Sequence, residues 1–236
     1  MPSPSEPSAP VSGSSGLTLR ADCDGFPWLE LPPLRLQVAL WPLTKYQLER
    51  YLADPPPDSP VYGDEWYEAL LRLNERVSVD RLTLEQRERA FATGLEPDEA
   101  LHLAKRFGPS CDLPTVSEWR AIEQLVNHLP FDPQQLGCLR AKPFAPVAAR
   151  LAARLWHCEP ATHWGQFMLL RGGVIEWVCD RNSFVGLGKP RPVFVANTLD
   201  PQRQEFRRTI TGRIRGMGAR FICRVRTTIT WDDQLP

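Results

Sequence analysis

Leu34, Leu36, Val38 and Leu40 are separated by Arg35, Gln37 and Ala39, the period-two pattern of a half-buried strand, here running into Trp41-Pro42-Leu43. Thr44 and Gln47 have capping-box spacing, with Leu48, Tyr51 and Leu52 on one face behind them, so a short helix follows and Asp54-Pro-Pro-Pro-Asp58 ends it. Trp66, Ala69, Leu70 and Leu73 predict a second helix, and the Thr83/Gln86 pair opens a third that stops near Gly94. Ala100, Leu103, Ala104 and Phe107 recur at helical spacing before Gly108, a C-terminal stop. Thr115 and Glu118 then form another Thr-x-x-Glu pair, with Trp119, Ile122 and Val126 on the buried stripe before Pro130. An Ala/Arg/Leu stretch over 147–156 predicts one more helix. Beyond Phe167, β-branched runs at 174–178, 193–195 and 221–230 predict strands. No internal repeat is visible.

Composition adjusts this picture at the N-terminus. Met1 to Gly16 is almost wholly Pro, Ser, Gly, Ala and Val, which buries too little apolar surface to offset the entropy of ordering. The segment 1–33 is therefore expected to be a disordered or linker segment, with the folded domain spanning 34–236. The 24 prolines and 8 tryptophans favour loops held by large aromatic anchors over a helical bundle.

Lys+Arg and Asp+Glu both number 28, so no global charge draws the chain to nucleic acid or an anionic membrane. No stretch approaches the roughly 20 apolar residues of a membrane span, and the N-terminus lacks a basic region followed by an apolar one. A cytoplasmic protein is expected. Cys23, Cys111, Cys138, Cys158, Cys179 and Cys223 are scattered with no CxxC pair, which reads as reduced, mostly buried thiols in place of a disulfide framework or zinc site.

Three short segments carry a resemblance: Leu113-Pro-Thr-Val-Ser-Glu-Trp119, Gly172-Gly-Val-Ile-Glu-Trp-Val178 and Gly218-Ala-Arg-Phe221. In order and spacing they resemble the LPTxxEW, GNVWEW and GFR motifs of the formylglycine-generating enzyme, or sulfatase-modifying-factor, family. Residues 42–52 resemble its VTNAQYxxF element, and Glu96-Pro-Asp-Glu-Ala100 fits the slot of the helix preceding LPTxxEW. The resemblance covers about 34–226. It implies an α+β, irregular, C-type-lectin-like fold of short helices, small antiparallel sheets and many loops. The segment 131–162 matches none of the family's motifs and is expected to be a divergent insertion.

The resemblance also implies what is missing. Catalytic members bind copper through two cysteines a few residues apart, upstream of GFR, and use oxygen to convert a substrate cysteine into formylglycine. A close thiolate pair suits soft Cu(I), but no cysteine lies between Asp180 and Ile222. Cys179 and Cys223 flank that gap and read as buried strand cysteines. Ergothioneine-type relatives hold iron with histidines, but His102, His128, His157 and His163 form no HxxxHxE helix. Many members bind calcium at the GNVWEW glutamate with an Asp or Asn three residues before the glycine; here Glu176 remains, while those asparagine and acidic positions are Gly173 and Leu169. Glu176 reads either as a residual calcium ligand or as a structural carboxylate paired with an arginine or backbone donors.

A polar stretch, Arg203, Arg207, Arg208, Arg213 and Arg215, occupies the place of the family's ligand-facing loops, where guanidinium forks meet carboxylates or phosphates; the alternative is a solvated face. Thr115, Glu118, Trp119, Trp177 and Arg220 read as structural. The expectation is a non-catalytic module, with neither copper nor iron, recognising a protein or peptide in a bacterial sensing, defence or regulatory system. The alternatives are an oxidoreductase of the same family with other metal ligands, and a nucleic-acid contact through the arginines.

Overall fold

The computed structural model describes residues 17–22, 25–48, 91–106, 108–136, 161–170, 174–188, 205–207 and 217–225. They form an α+β arrangement with two sheets. The first sheet contains β1 (Thr18–Ala21), β2 (Pro27–Leu31), β3 (Leu36–Ala39), β4 (Cys111–Asp112) and β9 (Ile222–Arg224), ordered β1-β2-β3-β9-β4 with every neighbour antiparallel. The second contains β5 (Ile175–Asp180), β6 (Ser183–Leu187), β7 (Glu205–Arg207) and β8 (Met217–Gly218), ordered β7-β6-β5-β8; β8 runs parallel to β5 and the other pairs are antiparallel. Helices among the described residues include α1 (Pro97–Arg106), α2 (Val116–His128) and the single-turn α3 (Trp164–Phe167).

Alternation in the first sheet separates two cores. Leu29, Leu31, Leu36, Val38 and Ile222 lie in the cluster that holds Trp119, Ile122 and Val126 of α2. Trp28 and Cys111 belong to the cluster that holds Ala100, Leu103 and Ala104 of α1, with Ala39 and Cys223 packed against it. The β5 strand serves both, through Val178 on one side and Ile175 and Trp177 on the other, which explains its apolar run. The tryptophans anchor connections through their indole N–H groups: Trp41 donates to the Phe167 carbonyl at 3.2 Å and Trp177 to the Leu95 carbonyl at 2.8 Å. Trp164, fully buried, is the exception among the described residues, its Nε1 having no acceptor.

The Leu34–Leu40 alternation emerges as β3, whose Leu36 and Val38 are buried while Gln37 and Ala39 are half-exposed. The helices beginning near Glu96 and Thr115 are α1, with Ala100, Leu103 and Ala104 buried and Phe107 outside the described residues, and α2, with Trp119, Ile122 and Val126 buried. Behind Thr44 a helical turn opens over 45–48, with Gln47 N–H donating to Thr44 Oγ1 at 3.2 Å. The helices predicted near Trp66, Thr83 and 147–156, the strand at 193–195 and most of the 131–162 segment lie outside the described residues, as does the tail 1–16.

Two expectations need correction. Residues 17–31 are no linker: β1 and β2 pair with each other and β2 with β3, so the folded unit begins well before Leu34. Asp22 sets the turn, accepting from Phe26 N–H at 2.8 Å and from Trp28 Nε1 at 3.2 Å, and Gly25 supplies the left-handed residue at φ 80°. Nor are all the cysteines thiols, since Cys111 and Cys223 form a disulfide. They stand directly opposite each other on β4 and β9, which brings their Cβ atoms together although 112 residues separate them.

Candidate functional site

The three motif segments meet at one buried ion pair. Trp119 belongs to α2, Glu176 to β5, and Arg220 to the stretch joining β8 to β9. Glu176 is wholly buried and Arg220 is 1% exposed. Arg220 Nη2 donates to Glu176 Oε1 at 2.7 Å, and its Nε lies 3.1 Å from both carboxylate oxygens. Trp119 Nε1 donates to Glu176 Oε2 at 2.8 Å. The guanidinium also satisfies three carbonyls: Nη1 donates to Ala39 and Leu40 at 3.0 and 2.5 Å, and Nη2 to Met168 at 2.6 Å. One side chain thereby ties the end of β3, the turn after α3 and the centre of the second sheet. A buried charge pair of this kind is tolerated because its donors and acceptors are matched.

Local sequence explains how each partner arrives. Thr115 Oγ1 accepts from Glu118 N–H at 3.2 Å and Glu118 Oε2 accepts from Thr115 N–H at 2.7 Å, a complete capping box that fixes the first turn of α2 and aims Trp119 inward. Gly218 permits the close approach of β8, because a Cβ there would meet the Ala92 carbonyl and Val174 Cγ2, each at 2.9 Å. The Met168 carbonyl is presented by a Schellman turn: Leu169 N–H donates to Gln166 and Leu170 N–H to Gly165. Leu169 occupies its left-handed position at φ 58°, which costs a leucine about 1 kcal/mol relative to glycine.

A second cluster lies on the same α2 turn. Arg224 is 40% exposed and donates to Glu118 through Nε and Nη2, both at 2.8 Å, while Nη1 reaches Asp112 at 3.1 Å. Lys105 adds a 3.1 Å contact to Asp112. Burial alone would raise the Glu118 carboxyl, but Arg224 and the Thr115 donors outweigh it and hold the group below its ordinary 4.5. The hydrogen bonds to Glu118 hold the Arg224 guanidinium above its usual range. Nearby Cys179 is the free cysteine among the described residues; burial, then the negative charge of Asp112, pushes its thiol up, so it stays protonated at neutral pH.

Of the residues read as structural, Trp119 and Arg220 meet at Glu176, Thr115 and Glu118 cap α2 beside Arg224, and Trp177 bonds the Leu95 carbonyl apart from both clusters. Glu176 is paired with arginine, the structural of its two readings. As a calcium ligand it would have to exchange three matched donors for the cation, with Leu169 contributing an apolar side chain. The Arg207 backbone pairs with Val185 in the second sheet, while the side chains of Arg203, Arg207, Arg208, Arg213 and Arg215 lie outside the described residues. Among the described residues no three His, Cys, Asp or Glu side chains gather as a metal-binding group. Arg224 and Asp112 escaped sequence reasoning, since nothing in their local spacing shows that β4 and β9 are neighbours.

In comparison with known proteins, no family model, curated protein or solved structure matches the chain. Among the described residues no helix is long and apolar enough to cross a membrane.

Proposed function

We propose that this chain is a non-catalytic, cytoplasmic, sulfatase-modifying-factor-like module with a C-type-lectin-like fold that recognises a protein or peptide partner. The observation supporting this reading is the convergence of the LPTVSEW, GGVIEW and GARF segments on the Arg220–Glu176–Trp119 cluster. Motif residues from three distant segments build one framework and are fully occupied in doing so. The close cysteine pair that the family's copper chemistry requires has no counterpart between Asp180 and Ile222. Function then falls to side chains carried by the framework, and the arginines of 203–215 are the group best suited to grip carboxylates or phosphates.

The test is a pull-down with the whole chain, followed by alanine substitution of Arg207, Arg208, Arg213 and Arg215 together. Partner binding should fall at least about tenfold, matching the loss of one or two charge-assisted contacts. Unchanged binding to every captured partner would remove the arginine assignment. Metal content, measured on protein purified without chelators, separates the module from an oxidoreductase: stoichiometric copper or iron with oxygen uptake on cysteine peptides would favour the enzyme. Steep salt dependence of binding to an oligonucleotide would instead favour a nucleic-acid contact.

A further inference from the structure

The Cys111–Cys223 bond joins two strands of unequal standing. The β9 strand is internal, paired along its other edge with β3 at Leu36↔Arg224, Gln37↔Cys223 and Val38↔Ile222. The β4 strand is a two-residue edge. Apart from the disulfide, β4 meets β9 through the two-residue ladder, a 3.3 Å bond from Arg224 N–H to the Ser110 carbonyl, and the half-exposed Arg224 contacts with Asp112 and the Leu113 carbonyl; beyond it Arg224 also holds Glu118 of α2, and Cys111 and Leu113 are buried in the cluster that Cys223 packs against. The two residues also differ in burial: Cys111 is 2% exposed, whereas Cys223 is half-buried. The segment that follows β4 runs beside the half-buried Cys179, whose N–H donates to the Pro114 carbonyl at 2.8 Å. Cys111 belongs to the apolar cluster against which both Cys179 and Cys223 pack, so all three cysteines share one corner of the molecule.

We propose that the Cys111–Cys223 disulfide is a redox-sensitive latch on the β4 edge, opened by a dithiol reductant while the rest of the fold stays in place, and that opening it makes the half-buried Cys179 thiol more accessible. In the first step a reductant thiolate attacks the sulfur of Cys223, the less buried of the two residues; the S–S bond breaks, and its electron pair leaves with Cys111, which takes up a proton. The second reductant thiol then displaces Cys223 from the mixed disulfide. The protein gains two electrons and two protons, and the reductant becomes a disulfide. Because β9 keeps its ladder to β3, release is local to β4 and its flanks.

The experiment is a dithiothreitol titration of the intact chain at neutral pH, with alkylation followed cysteine by cysteine by peptide mass spectrometry and the fold followed by circular dichroism. Cys111 and Cys223 should become labelled together, Cys179 alkylation should accelerate at least about tenfold, and the dichroism should persist. A Cys111→Ser/Cys223→Ser double variant should alkylate at Cys179 at the reduced rate without any reductant. If that variant fails to fold, the wild-type titration decides alone. Resistance of the disulfide until denaturant unfolds the chain, loss of dichroism on reduction, or an unchanged Cys179 rate after clean reduction would each overturn the latch.

Discussion

Arg220 and Arg224 lie four residues apart, and each binds a glutamate with two of its nitrogens, yet they do opposite work. Arg220 and Glu176 are 1% and 0% exposed, and the guanidinium also satisfies three backbone carbonyls. Arg224 and Glu118 are 40% and 24% exposed, so water competes for both charges. The adjacent residues Glu118 and Trp119 serve one cluster each, so a single helical turn is held from two sides. Similar chemistry is indispensable in one place and modest in the other because burial, and not pairing, sets the cost of its loss.

Arg220→Met should separate the two clusters most sharply. It leaves Glu176 charged and buried and the carbonyls of Ala39, Leu40 and Met168 without their donor, so a loss of about 3–5 kcal/mol is expected in urea unfolding, or failure to fold. Adding Glu176→Met removes the stranded charge and should recover part of that loss, leaving the cost of the orphaned carbonyls and the Trp119 N–H, about 1–3 kcal/mol for each group that water does not reach. Full recovery by the double variant would show that the carbonyl contacts are dispensable.

Thr115→Ala comes next, costing about 1 kcal/mol through the lost N-cap. Arg224→Met should cost less than about 1 kcal/mol, and that cost should shrink with added salt, which the loss at Arg220 should not. Acid sharpens the same contrast. The Glu118 carboxyl is held below 4.5 in the folded protein, so its contribution is complete above that value and disappears as pH falls through the lowered one. Melting temperature measured from pH 6 to pH 3 should show this decline, and Arg224→Met should flatten it. An unchanged pH profile would mean that the Thr115 donors alone hold the carboxylate.

What could be read from the sequence follows the range of the interactions. Thr115 and Glu118 are three residues apart, so their capping box is written locally, as are the apolar faces of α1 and α2. Motif resemblance marked Trp119 and Arg220 as structural and allowed Glu176 an arginine partner, but their meeting was not legible, because no period or spacing relates positions 57 and 44 residues apart. Resemblance offered nothing for Cys111 and Cys223, whose meeting depends on the register of β4 against β9. The opening strands were obscured by composition: the Pro/Ser-rich tail runs into Leu17-Thr-Leu-Arg-Ala21, and Pro27 begins β2, although the Asp22–Gly25 turn signal lay between them.

The nine residues 217–225 supply β8 to one sheet, β9 to the interior of the other, and Arg220 between them. On a ribosome, β3 emerges with its β9 edge unpaired and Glu176 with its counter-charge not yet made. Roughly 180 residues separate β3 from β9, about ten seconds or more of synthesis at 5–20 residues per second. Folding is thus deferred to the last described segment, and through that interval the nascent chain carries an open sheet edge that invites pairing with other chains.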